Sequence, residues 1–250
     1  MMKRVLQIFL LSLVVVSVNA QRVKSIAYSA GGTMVFDYRA GGVLPGVKYF
    51  AGKDTSVWNV TQNPLSIRII YGKAIITFDS IKRNERGFIV DMKMCNEQKK
   101  SSDVSCTYDV DGHLTKFSCL YNAKQGIYTE LTWDKGNLVK SMYYERNGDS
   151  LKNVGSMEFS YVGSVTRNDC NLYYPNQYLD IEIFNPLLYA GLMGMPPGNI
   201  PTSYITTVGK TATRSRISCW HDKQGRIDII NENSYYHGFN SKETITFRYE

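Results

Sequence analysis

The chain has 250 residues, with 29 Lys and Arg against 22 Asp and Glu and a formal charge of +7. Its basic residues alternate with acidic residues and tyrosine along the whole length, which excludes the nucleic-acid binders that gather Lys and Arg into one stripe. The length suffices for one core, or at most two small ones.

Lys3 and Arg4 precede an uncharged apolar run of 14 residues, Val5 to Val18, and Val18-Asn19-Ala20 supplies small or branched residues after it. This is the pattern of a secretory signal peptide over residues 1–20, cut between Ala20 and Gln21. The run falls short of the roughly 20 residues that a bilayer core needs. Without Lys3 and Arg4, 27 basic side chains remain against 22 acidic ones, a charge of +5. The later apolar stretch from Pro186 to Pro197 is short and broken by glycine and proline, so no transmembrane helix is expected after cleavage. The cleavage region holds no cysteine that could carry a lipid.

Residues 21–60 read as an irregular N-terminal segment, with Gly31-Gly32 and Gly41-Gly42 marking turns. From 61 to 250 the chain reads as one antiparallel β domain. A phrase recurs there: a polar turn with glycine, then an apolar residue, then strict alternation. It appears at Asn84 to Val90, Tyr108 to Leu114, Trp133 to Leu138 and Trp220 to Ile227. Gly87, Gly112 and Gly136 stand 25 and 24 residues apart, which is two strands and two turns. Each glycine supplies the positive φ that a tight turn between right-twisted strands requires. On the flanking strands the faces separate: Phe88, Val90, Met92 and Met94 alternate with Ile89, Asp91, Lys93 and Cys95.

Cys95 and Cys106 bracket the polar stretch Asn96 to Ser105, which makes them candidates for a disulfide across that loop. Cys106 paired with Cys119, and buried free thiols, are the alternatives. The mature chain carries five cysteines, an odd number, so one thiol is left over or pairs between molecules. One short helix is expected near 186–193, with Asn185 as N-cap and Pro186 at the first helical position. The prolines of Met195 to Pro201 then force an extended loop. Strands return from Ser203 to Glu250. The fold class that follows is all-β and mainly antiparallel, a hairpin-repeat meander forming a large curved sheet or open barrel.

Two phrases resemble a family. Asp109-Val110-Asp111-Gly112-His113-Leu114-Thr115-Lys116 and the run from Tyr128 to Lys140 are similar to secreted proteins of Bacteroidetes classed as domain of unknown function 4595. Asn185 to Ser203 and the closing hairpin Trp220 to Tyr249 also resemble that family, and the likeness spans about 60–250. It implies a porin-like, mostly antiparallel fold in the periplasm or at the cell surface of a Gram-negative bacterium. It implies no known activity and no defined site.

Chemistry-bearing residues are sparse. Asp109 and Asp111 before Gly112 invite a calcium loop, but Thr107 and Ser118 stand where acidic ligands would begin and end it. No cysteine spacing is CxxC, which opposes a zinc site, and a metal cluster from His113, His221 and His237 is disfavoured because two of the three sit in equivalent exposed turns of the repeat. No nucleophile motif or carboxylate pair is recognisable, so no catalytic, cofactor or metal residue is assigned. Asp79-Ser80-Ile81 and Asp149-Ser150-Leu151 resemble O-glycosylation acceptor triplets. The reading is an exported, non-catalytic β-protein of the envelope that binds a glycan, peptide, lipid or protein partner on an aromatic-rich concave face. An outer-membrane barrel and a hydrolase with no local signature are its alternatives.

Overall fold

Alternating residues make a wall with two unlike faces, and here the wall closes on itself. The computed structural model describes residues 22–38, 46–51, 54–62, 65–71, 73–98, 100–163, 165–168, 184, 187–188, 191–236 and 238–249. The signal peptide and its Ala20–Gln21 junction lie outside the described residues, as do His237 and Cys170. The first eight strands are β1 (Val23–Tyr28), β2 (Gly32–Asp37), β3 (Gly46–Ala51), β4 (Asp54–Gln62), β5 (Leu65–Tyr71), β6 (Ala74–Arg83), β7 (Ile89–Asn96) and β8 (Ser101–Tyr108). The next four are β9 (Leu114–Leu120), β10 (Gln125–Asp134), β11 (Asn137–Asn147) and β12 (Ser150–Ser160). After an excursion bearing the short pair β13 (Thr166–Arg167) and β14 (Asn199–Ile200), the wall resumes with β15 (Ser203–Val208), β16 (Thr211–His221), β17 (Ile227–Tyr236) and β18 (Phe239–Tyr249).

Sixteen of these strands form a closed antiparallel barrel in chain order, with β12 paired to β15 across the excursion and β1 paired to β18. Closure corrects the expectation of a curved sheet or open barrel. Ile26 lies opposite Phe247 and Tyr28 opposite Ile245, so the two outermost strands satisfy each other's backbone groups and no edge is left. The irregular segment expected at 21–60 is also corrected. Its described residues form β1 to β4, because Met34 and Phe36 alternate inward on β2 just as the later repeats do. The helix expected near 186–193 lies partly outside the described residues; of those described in that range, Leu187 and Leu188 are helical. Leu187 and Leu188 make one turn, closed by Gly191 N–H donating to Leu188 O at 2.8 Å and Leu192 N–H to Leu187 O at 3.0 Å.

The two faces of the wall differ in chemistry. Phe78, Met92, Val104, Phe117, Met157 and Ile245 are buried inside one continuous core. Their strand neighbours face water and pair across strands: Lys82 with Asp91 at 3.9 Å, Lys116 with Glu130 at 4.0 Å and Lys140 with Glu158 at 2.8 Å. A sixteen-strand barrel is too wide for wall side chains alone to fill. The excursion between β12 and β15 supplies the missing volume at one end. Phe184 is fully buried, with its ring 5.5 Å from that of Phe78 and 4.9 Å from that of Phe117. Leu187, Leu188, Leu192 and Met193 join the same core. No helix among the described residues is long and apolar enough to cross a membrane.

The excursion docks on the recurring turns. Because the repeat is two strands long, the turns at 84–88, 109–113, 135–136 and 222–226 all fall at one end of the barrel. Three share a five-residue design. Asn84 Oδ1 accepts from the N–H of Arg86 and Phe88, Asp109 Oδ1 from Asp111 and His113, and Asp222 Oδ1 from Gln224 and Arg226, all at 2.8–3.0 Å. Gly112, at φ 94°, sits where this design needs a left-handed residue, and Met195 N–H donates to its carbonyl at 2.9 Å. Gly198 N–H donates in the same way to Gly136 O at 2.8 Å. This is the closed end.

Candidate functional site at the open end

Burial of inward residues falls steadily towards the opposite end. Along β18, Phe247 and Ile245 are buried, Glu243 is half-buried and Ser241 is exposed. Along β6, Phe78, Ile76 and Ala74 follow the same gradient, as do Met92, Met94 and Asn96 along β7. Water therefore reaches the inner wall from this end, and polar side chains replace the apolar core there.

The polar group spans four strands. Glu232 on β17 lies directly opposite Glu243 on β18, both on the inward face set by Ile230 and Ile245. Tyr204 on β15 donates its hydroxyl to Glu232 Oε1, and Ser234 Oγ donates to the same oxygen at 3.0 Å. Ser215 on β16, itself buried, lies 2.7 Å from the Ser234 hydroxyl. Burial first, and then the Glu232 charge with its hydrogen bond, push the Tyr204 phenol up. Burial and the facing Glu232 likewise push the Glu243 carboxyl up, so Glu243 holds its proton more readily than an isolated carboxyl does. Glu232 has partners. Among the described residues, no hydrogen bond or ion pair reaches the Glu243 carboxyl, which leaves its acceptors to water or a ligand. The arrangement can accept hydrogen bonds from hydroxyl or amine groups.

A second concavity lies at the closed end, a cleft of about 600 Å³ between the β13–β14 pair and β16, lined by Arg167, Thr202, Cys219 and His221. Burial raises the Cys219 thiol, which opposes a nucleophilic role.

The residues singled out from sequence do not converge. Cys95 lies opposite Ser101 beside the β7–β8 turn, while Cys106 lies opposite Phe117 at the far end of β8. Five residues of strand, about 17 Å, separate the two levels, and both thiols are free. The bridge expected between Cys95 and Cys106 is therefore not formed. Cys106 and Cys119 share the inner face on adjacent strands but are also free, their thiols pushed up by burial to about 12 and about 11. His113 and His221 occupy separate closed-end turns. His113 stacks on Trp133, with ring centroids 4.5 Å apart, and its Nδ1 lies 3.2 Å from Asp109 Oδ2. Asp109, Asp111 and His113 place ligand atoms within 4.8 Å of one another, yet the Asp109 carboxylate is already spent on two backbone N–H groups and this imidazole. Asn84, which carries no charge, does the same work in the equivalent turn. Ser80 and Ser150 of the two acceptor triplets are exposed.

Sequence reading missed Glu232 and Glu243. Each sits between polar neighbours, Asn231 and Asn233 or Lys242 and Thr244, and looks like part of a solvated face. The available signal was parity, because two-residue steps from Ile230 and Ile245 put both glutamates on the buried side.

No family model and no curated protein matches the chain. Solved structures do: a porin-like protein from Bacteroides uniformis aligns over 91% of this chain and 95% of its own, with TM-score 0.61 and 11% identity. Another porin-like protein, from Bacteroides vulgatus, aligns over 92% and 99%, with TM-score 0.56 and 13% identity. At such identities the likeness is one of fold, and the fold of this chain is porin-like.

Proposed function

We propose that the chain is an exported, non-catalytic barrel of the Gram-negative envelope that works in water and binds a ligand at its open end. The observation that carries this reading is the polarity of the wall. A membrane barrel turns a continuous apolar band outward and a polar lumen inward, and Lys or Arg facing lipid at mid-depth costs about 2–4 kcal/mol each. Here Lys116 and Glu130 face outward from mid-strand, and Lys140 and Glu158 face outward nearer the closed end, while phenylalanine and methionine fill the interior. The signal peptide, and membership of the secreted family that residues 60–250 resemble, belong to the same proposal.

The ligand this site suits is a glycan. Glu243 and Glu232, the latter held by Tyr204 and Ser234, offer acceptors to sugar hydroxyls, and Tyr236 stands beside them at the rim as apolar surface for a pyranose face. Fractionation with a carbonate wash tests the setting: release of the protein is expected, whereas retention in the outer membrane with heat-modifiable migration refutes it. Titration calorimetry against a panel of neutral oligosaccharides tests the ligand, with Glu243→Gln as the control expected to weaken binding about tenfold, the equivalent of one hydrogen bond to a charged group. Absence of binding across the panel removes the glycan assignment.

A further inference from the structure

Among the described residues, exposed large apolar side chains lie at both ends, with Val110, Val162, Val165, Met195 and Trp220 at the closed end, but all the exposed phenylalanines and tyrosines are at the open end. Phe50, Tyr121, Leu151, Val208, Tyr235 and Phe239 are 41 to 76% exposed and lie in or beside the β3–β4, β9–β10, β11–β12, β15–β16 and β17–β18 turns. They come from hairpins spread around the ring, so they outline a rim and not a single patch. Basic side chains stand among them. Lys73, Lys100, Lys124, Arg146 and Lys210 outweigh Glu97 and Asp149 at this end, while Lys152 and Glu145 offset each other as register partners. The closed-end turns differ, setting Glu85, Asp109, Asp111, Asp134 and Asp222 against Arg86, Lys135, Lys223 and Arg226 in near balance. Aromatic side chains at the depth of lipid headgroups, with lysines reaching phosphates around them, are what holds a protein on an anionic bilayer surface.

We infer that the open rim docks on an anionic lipid surface, with Tyr121, Tyr235 and Phe239 entering the headgroup layer and Lys73, Lys124 and Lys210 meeting phosphate. The barrel stays outside the hydrocarbon, because its charged outer wall begins directly above the rim. This goes beyond ligand binding in the mouth and stands or falls separately. A rim-docked barrel leaves the membrane at high salt, whereas an inserted one does not.

Flotation of the purified protein with vesicles tests it, comparing pure phosphatidylcholine with phosphatidylcholine containing 30% phosphatidylglycerol. The expected result is binding to the anionic vesicles, at least tenfold weaker binding to neutral ones, and release in high salt. Lys124→Ala and Lys210→Ala each weaken binding about fivefold, and Phe239→Ser weakens it at any salt, while Lys223→Ala at the closed end leaves it unchanged. Unchanged near-ultraviolet dichroism shows that each variant is folded, and the salt series on the unsubstituted protein needs no variant at all. Equal binding to both vesicles, binding insensitive to salt, or no binding to either overturns the proposal.

Discussion

Replacing Phe184 with alanine is the sharpest test of how the barrel is filled. Phe184 has no solvent exposure and contacts two rings that face inward from β6 and β9. Burying a phenylalanine is worth about 1.5–3 kcal/mol by transfer alone. Each well-placed ring pair adds about 0.5–1.5 kcal/mol, and the wall cannot collapse into the vacated space because each strand is held by two neighbours. Phe184→Ala should therefore cost about 3–5 kcal/mol, and Phe184→Leu, which refills most of the volume, about 1.5 kcal/mol or less. Guanidinium unfolding followed by tryptophan fluorescence measures both, since Trp58 lies 6.3 Å from the Phe78 ring that Phe184 contacts. A loss below about 1 kcal/mol for the alanine variant, with an unchanged m-value, would show that the excursion does not sit in the core.

Three further outcomes are expected. Glu243 has a raised pKa, so its contribution to stability is full below the unfolded value near 4.3 and is lost as pH rises through the folded value. Glu243→Gln should remove that part of the decline, leaving the variant more stable than the parent at pH 8 by up to about 1 kcal/mol after solvent screening; a parallel pair of melting-temperature curves from pH 4.5 to 8 refutes the coupling. Cys106 and Cys119 should resist iodoacetamide in the native protein at pH 8 and react on unfolding without a reductant, as followed by peptide mass; failure to react until reductant is added would reveal a disulfide. Gly112→Ala should destabilise by about 2–4 kcal/mol, because the residue has φ 94° and a Cβ there would lie 2.9 Å from the Phe88 ring, whereas Gly148→Ala, in open space at φ 65°, should cost about 1–2 kcal/mol. Equal melting temperatures for the two variants would contradict the docking of the excursion on that turn.

The hairpins from β6 to β11 were legible because their information is local. Asn84, Asp109 and Asp222 announce turns three residues before a glycine, and period-two alternation announces the strands between them. Strands β1 to β4 were obscured by adjacent glycines at 31–32 and 41–42, which suggested turns in an irregular segment although Met34 and Phe36 already alternated. Closure was not legible at all, since nothing near Ile26 specifies Phe247 as its partner. Nor was the polarity of the faces legible as in or out, because alternation alone does not say which face a closed wall turns inward. For the open-end site, the residues were visible but their company was not. Tyr204, Ser234 and Glu243 meet only when three hairpins lie side by side.

The pairing of β1 with β18 also dictates when the molecule can become native. Every other pairing in the barrel wall except that across the excursion joins strands adjacent in the chain and can form as a hairpin, but this last seam joins residues more than 200 positions apart and waits for the final strand. Until then the growing sheet has two open edges and an uncovered apolar face, a form that invites aggregation in a crowded compartment. A chain threaded across a membrane from its N-terminus is spared that interval on the near side, since its closing strand arrives last and on the far side. Removing Thr244 to Tyr249 should for the same reason leave an assembly-prone sheet, not a smaller barrel.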